Sequence, residues 1–176
     1  MPDLHPVLAA RWSPRGFDDS HELRQADLAS MLEAARWAPS GGNAQPWRFV
    51  VGRRDDPAYK RIFTALTDDD QRWAGRAGAL IAAGHVHGAD PYDLGQAVAH
   101  LGVQAVALGL HTRQVLDFDA AALHAELELP AEVHLHAVVA AGRLGDPGTL
   151  PADLRRLEFR LRERRAITDL VLSVAG

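Results

Sequence analysis

The chain has 176 residues, no cysteine, 47% hydrophobic residues and a formal net charge of -4 at neutral pH. The missing thiols exclude disulfides, thiolate metal sites and cysteine nucleophiles, and the mild negative charge gives no global basic field to attract nucleic acid or anionic membrane. One domain, residues 1–176, is expected, burying about 70% of the surface that its unfolded chain exposes.

The first twelve residues, MPDLHPVLAARW, have neither a basic n-region nor a long apolar core, so no secretory signal is expected. The later apolar runs GALIAAG and GVQAVALGL are short and punctuated by glycine, too short to cross a bilayer. A cytoplasmic protein with no membrane partner is the expectation.

The first segment able to carry chemistry is RWSPRGF, Arg11 to Phe17. Two arginines flank a serine, and Pro14 stiffens the backbone between them. A guanidinium fork can hold phosphate through two parallel hydrogen bonds, and the hydroxyl adds a neutral donor. The same residues also suit the solvated basic end of a first helix.

Residues 24–37 repeat Leu28, Met31, Leu32 and Ala35 at helical spacing, and Pro39 stops the run. The stretch APSGGNAQPWRF follows. Gly41 and Gly42 lack a Cβ and let the backbone approach a ring, Ser40 and Asn43 offer hydrogen bonds, and Pro39 and Pro46 stiffen the two ends. A helix C-cap followed by a turn explains the glycines but not the prolines together with Gln45 and Trp47.

WRFVVG then reads as a strand, residues 57–66 as a helix with Pro57 in its first turn, and ALIAAG (79–84) as a buried strand. The longest helix is expected over 91–110. Leu94, Val98, Leu101, Ala105 and Leu108 make its stripe, while Ala97, Gly102 and Ala107 leave its other sides small and unpolar. A helix apolar nearly all round is covered on more than one side, here by a second copy of so short a chain. His100 is expected in that interface. A further helix is expected over 119–127 and a strand over 133–141.

His85 with His87, and His134 with His136, are each spaced two apart and so share a strand face. A metal centre needs a third ligand and supporting carboxylates, which spacing does not supply, and no metal is expected. Near the end, RLRERR sets Arg160, Arg162 and Arg164 on one side if extended, as an anion clamp. In a helix the arginines would instead spread and pair with Glu158 and Glu163 as surface charges. An apolar run, residues 166–174, follows. Alternating helices and strands point to an α/β layering, and periodicity does not separate parallel from antiparallel pairing.

Taken in order, these clusters resemble the FMN-dependent nitroreductase family in its compact form. Arg11, Ser13 and Arg15 match its N-terminal Arg-x-Ser-x-basic motif. Pro39, Ser40, Asn43, Gln45, Pro46 and Trp47 match its Pro-Ser-x-x-Asn-x-Gln-Pro-Trp stretch without gaps, and Arg162 and Arg164 match its C-terminal arginine pair. The resemblance implies an α+β, three-layer α/β/α fold, with a central mixed, mostly antiparallel sheet flanked by helices. It also implies a homodimer with the long helix buried at its interface and two FMN sites there.

On that resemblance Arg11, Trp12, Ser13 and Arg15 line the flavin, and Arg162 and Arg164 hold its phosphate with Arg11. Pro39, Ser40 and Asn43 come from the other copy, and Arg113, Gln114 and Val115 lie under the ring. NADH or NADPH is the implied electron donor and a nitroaromatic, quinone or similar small molecule the acceptor, with hydride passing through flavin N5 in a ping-pong cycle. Arg15 is the implied cation for the anionic edge of the reduced ring, and no side chain acts as nucleophile or acid–base pair.

The chain departs from the family in two places. Asp70 or Gln71 takes the place of an asparagine beside the flavin, with Trp73 after it. Arg113 to Asp117 replace a glycine-containing segment. Flavin storage or redox sensing without turnover, and another FMN reaction such as metabolite dehydrogenation, remain alternatives, because a fold does not fix a function.

Overall fold

The computed structural model describes residues 3–172, so the last two residues of the apolar run 166–174 lie outside the described residues. In chain order the elements are α1 (Pro6–Ala10), α2 (Gln25–Arg36), β1 (Trp47–Arg53), α3 (Pro57–Thr64), α4 (Asp68–Ala74), β2 (Ala79–Val86), α5 (Pro91–Ala107), β3 (His111–Val115), α6 (Ala120–Glu126), β4 (Val133–Gly142) and α7 (Ala152–Glu158). The strands form one sheet in the order β1-β2-β4-β3. Every neighbouring pair is antiparallel, which settles what periodicity left open.

β2 and β4 are the inner strands, and their sequences say why. A strand covered on both faces reads as a continuous apolar run, and Ala79 to Ala83 and Ala137 to Ala141 are all buried. On one face, Leu28 and Met31 of α2 and Leu94, Val98 and Leu101 of α5 pack on Ile81 and Val139. On the other, Tyr59 and Ile62 of α3, Trp73 of α4, Leu123 of α6 and Leu154 of α7 pack on Leu80 and Val138. Each such large side chain contributes about 1.5–3 kcal/mol of burial. The result is the three-layer α/β/α arrangement that the resemblance implies.

Close approach fixes the second layer. A Cβ on Gly52 would fall 2.3 Å from the Tyr59 backbone nitrogen, so glycine lets α3 cross β1 at contact. The Tyr59 hydroxyl then donates to the carbonyls of Ala74 and Ala77, each at 3.0 Å, and ties down the end of α4.

Three elements escape the sequence periodicity: α4, β3 and α7. Asp68, Asp69 and Asp70 sit in the first turn of α4, where carboxylates favour the positive end of the helix dipole, and the Thr67 hydroxyl accepts from the Asp70 N–H at 3.3 Å.

The N-terminal segment is stitched to the chain after β4. The Asp18 N–H donates to the Arg143 carbonyl and the Gly145 N–H to the Gly16 carbonyl, both at 2.9 Å, with Phe17 fully buried between them. A Cβ on Gly145 would lie 2.5 Å from the Phe17 carbonyl oxygen, so this pairing requires glycine. It sets Arg15 against both β3 and α7.

α5 is the longest helix, and the chain covers one side of it. Leu94, Ala97, Val98, Leu101, Gly102 and Ala105 are buried, whereas Tyr92, Gly95, Ala99 and His100 are exposed.

Candidate functional site

Ser13 is the hub of a cluster drawn from both ends of the chain. The Arg113 Nη1 on β3 donates to the Ser13 carbonyl at 2.9 Å, and the Arg11 Nη1 reaches the Ser13 hydroxyl at 3.4 Å. From the far end of the sequence, Arg162 donates to the Arg11 carbonyl at 2.8 Å and to the Ala9 carbonyl at 3.1 Å. Burial, and then the nearby Arg162 and Arg164, hold the Arg11 guanidinium below its ordinary pKa. Burial and Arg15 do the same to Arg113, against the pull of Asp70 and Glu158.

Among the described residues, none of Arg11, Arg15, Arg113, Arg162 and Arg164 has a carboxylate within ion-pair distance. Like charges held together without counterions raise the free energy of the empty site and lower it for a bound anion. A cleft of about 320 Å³ opens here, bounded by Trp12, Phe159 and Arg162.

The helical alternative for RLRERR does not hold, because α7 ends at Glu158 and residues 160–165 form neither helix nor strand. Glu158 therefore pairs with no arginine. It is 8% exposed, and its two carboxylate oxygens accept from the backbone N–H groups of Arg15 and Gly16. No local sequence signal marks this contact across more than 140 residues.

Two aromatic residues complete the surroundings. The Arg113 guanidinium lies over the Trp73 ring, 5.2 Å from its centroid, in a cation–π contact. Trp12 meets His111 edge to face at 6.1 Å. Burial, and then Arg11, lower the His111 pKa and so favour the neutral imidazole.

Asp70 and Gln71 are engaged locally. Asp70 accepts from the Trp73 indole N–H at 2.9 Å, and the Gln71 amide donates to the Leu66 carbonyl at 2.8 Å. The Val115 side chain belongs to the core, while Gln114 and Asp117 are exposed.

The glycine-rich loop lies elsewhere. The Ser40 hydroxyl accepts from the Gln45 N–H at 3.0 Å, and Asp93 in the first turn of α5 accepts from the Gly41 N–H at 3.0 Å. Gly42, Asn43 and Gln45 adopt positive φ of 58°, 58° and 49°, and the space beside Gly42 is open. Pro39 and Asn43 are exposed and Ser40 is half-buried. This loop stands at the N-terminal end of α5, whereas Trp12 and His111 stand past its C-terminal end, about 25 Å away along a 17-residue helix. It also precedes one edge strand, and Arg113 lies on the other. One copy of the chain does not bring the two groups together.

A second cleft, of about 270 Å³, is lined by His21, Arg53 and Arg54. Its arginines are already occupied: Arg53 by Glu22 and the Leu23 carbonyl, Arg54 by the carbonyls of Asp19, Arg76 and Ala77.

Fold and site together define an α+β protein with an anion-receptive arginine cluster beside a small cleft. The family model described as "Nitroreductase family" matches residues 8–89. The Bacillus subtilis protein YdgI, provisionally named an NAD(P)H nitroreductase, is 32% identical over 144 residues, or 81% of this chain. That match spans 65% of YdgI's own length, less than two thirds. A solved structure described as an oxidoreductase containing FMN superposes with a TM-score of 0.89 at 30% identity, covering 97% of this chain and 91% of that one. A Desulfovibrio desulfuricans protein, provisionally named a nitroreductase and solved in complex with FMN, superposes at 0.78 with 29% identity over 99% of both chains. The chain belongs to the nitroreductase family.

Proposed function

We propose that this chain is an FMN-dependent oxidoreductase that passes reducing equivalents from NADH or NADPH to a small acceptor such as a nitroaromatic or a quinone, with two copies of one domain enclosing each flavin. The observation that carries this reading is the cluster of Arg11, Arg162 and Arg164, three guanidinium groups without an acidic partner among the described residues. That donor set fits a phosphate monoester. Arg11 and Arg162 are preset by Ser13 and by the carbonyls of Ala9 and Arg11, so little side-chain freedom is lost on binding.

FMN, when bound, supplies a ring that accepts and donates hydride. Arg15 and Arg113 then provide fixed positive charge for the electron-rich edge of that ring, and Trp12 an apolar edge. Arg113 is held in place by the Trp73 face and the Ser13 carbonyl. The backbone about Pro39, Ser40 and Asn43 reaches the same ring from the second copy. An isologous pair about a two-fold axis across α5 sets the two helices antiparallel, so the N-terminal end of one meets the C-terminal end of the other. The exposed Tyr92, Gly95 and Ala99 give α5 a small, largely apolar contact surface, and Leu161 and Leu172, 86% and 88% exposed, give the tail an apolar arm to lay across a partner.

The test is anaerobic. Purified protein should be yellow, bleach on mixing with NADH or NADPH, and recover its colour with a nitroaromatic or quinone. Protein that binds FMN but bleaches slowly or not at all would instead be a flavin store or sensor. A colourless protein that takes up no added FMN would remove the cofactor altogether.

A further inference from the structure

Four histidines that the proposed flavin site does not use meet at one end of the sheet. His85 and His87 come from β2 and the residue after it, His134 and His136 from β4, and His85 stands directly opposite His134 in the register. The register slips between Ala83 and Gly84, leaving His136 with no opposite residue on β2. A bulge of this kind re-aims a side chain, and here it brings His136 to His85. Their Nε2 atoms are 2.9 Å apart and their ring centroids 4.6 Å. A second pair, His87 Nδ1 and His134 Nε2, stands at 3.0 Å with centroids 5.2 Å apart. The second pair meets nearly end on, as an N–H···N hydrogen bond does, whereas the first meets at a bend.

The tautomer of His85 follows from its other nitrogen. His85 Nδ1 lies 2.8 Å from the Val86 carbonyl oxygen, which can only accept, so Nδ1 carries the proton. In the neutral ring Nε2 then presents a lone pair toward His136. Metal-ligating histidines are arranged in this way: one ring nitrogen donates to a backbone carbonyl, which fixes the ring and leaves the other nitrogen free to bind. Two nitrogens bonded to one divalent ion at about 2.0–2.1 Å stand roughly 3 Å apart, close to the spacing of this pair.

We propose that His85 and His136 form a two-histidine chelating site for a late divalent transition ion of the zinc or nickel class, with solvent completing the coordination. No three histidine, aspartate or glutamate groups converge on one point among the described residues, so the site is open and exchangeable rather than a closed structural centre. Imidazole donors without a carboxylate select zinc, nickel or copper over magnesium and calcium. The ion would join β2 to β4 where their ladder slips. The site shares no residue with the flavin cluster and stands independently of it.

The experiment is a competition titration of untagged full-length protein against a chromophoric chelator, with zinc, nickel and magnesium in turn. Zinc and nickel should bind at one equivalent in the micromolar range and magnesium should not. Binding should weaken as pH falls through the imidazole range, because the ligands must be neutral. The test variant is His136→Gln, an exposed position, with circular dichroism as the check on folding. It should bind zinc about tenfold more weakly or worse, and His85→Gln should do the same. The proposal fails if no zinc is taken up at micromolar concentration, or if His136→Gln binds as tightly as the parent. It fails equally if only His87→Gln loses binding, which would move the ion to the other pair.

Discussion

Glu158 joins the two ends of the chain through a small number of bonds whose loss can be put in numbers. Its Oε1 accepts from the Gly16 N–H at 2.9 Å and the Arg15 N–H at 3.1 Å, and its Oε2 accepts from Arg15 at 2.8 Å. Glu158→Ala leaves both N–H groups without an acceptor, and Gly16 is buried. A hydrogen bond to a charged group contributes about 1.5–3 kcal/mol, and an orphaned buried donor costs about 1–3 kcal/mol. Two donors put the variant about 3–4 kcal/mol below the parent, a large share of the 5–15 kcal/mol of a typical domain, roughly speaking. With a slope of about 2 kcal/mol per molar urea, the unfolding midpoint followed by circular dichroism should drop by about 1.5–2 M with the slope unchanged. Glu158→Gln should fall between, since it keeps one oxygen but sets an amide NH₂ against the Arg15 N–H. FMN retention should fall with stability in both, because Arg15 sits on the freed backbone. A midpoint for Glu158→Ala within about 0.3 M of the parent would refute the claim that this carboxylate holds the N-terminal motif.

The other predictions use the same logic. Gly52→Ala places a Cβ 2.3 Å from the Tyr59 nitrogen and 2.4 Å from its Cα, so α3 must move; the loss should exceed about 3 kcal/mol and show as a collapsed melting temperature or insoluble protein. Arg162→Ala with Arg164→Ala should strip most FMN during purification, read as the ratio of flavin to protein absorbance, and undiminished occupancy would take both out of the site. Ala99→Glu, on the exposed face of α5, should turn a dimer into a monomer by light scattering at low micromolar concentration and release FMN with it; a parent that is already monomeric would overturn the two-copy site. Burial and neighbouring cations or imidazoles lower the pKa values of His111 and His136, so the unfolded chain binds protons there more readily. Stability should therefore be full above pH 6.5, the ordinary imidazole value, and decline below it as pH falls toward the folded-state values. His111→Gln should shallow that decline in pH-dependent urea melts.

What could be read before folding and what could not divide along physical lines. α2, β1, α3, β2, α5, α6 and β4 were legible because each carries an apolar pattern long enough to show its period, with Pro39, Pro57 and Pro91 as punctuation. α4 has seven residues and its signal is a cap, Thr67 before three aspartates, rather than a stripe. β3 has five residues with only Thr112 and Val115 buried, and its strand character comes from pairing with β4. Periodicity could not give the antiparallel order, because pairing is a property of two strands; only the family resemblance implied it. In the site, Arg11, Ser13, Arg162 and Arg164 could be named from chemistry and order. The supporting residues Glu158 and His111 could not, because each acts through a contact that no local pattern encodes, and Trp73 was marked by its place after Gln71 but not by its contact with Arg113. Glu158 even suggested the opposite role, a surface partner for arginines. The four histidines were visible as two pairs spaced by two, but their meeting depends on a slip in register.

The proposed division of the site between two copies rests on one helix. A chain of this size can cover α5 on one side only, with α2 and the sheet, and the sequence nevertheless keeps Gly95, Ala99 and Val103 small or apolar on the other. Those residues leave room for a second helix to approach closely. Because α5 holds the glycine-rich loop by Asp93 at one end and runs toward Trp12 and Arg113 at the other, the surface open to that helix is also the ruler separating the two groups of proposed ligand residues. Covering it with a second copy about a two-fold axis would do two things at once: the apolar face is buried, and each arginine cluster receives the other copy's loop. Cofactor binding and association are then one equilibrium, so FMN should tighten the dimer by the same factor that dimerisation tightens FMN.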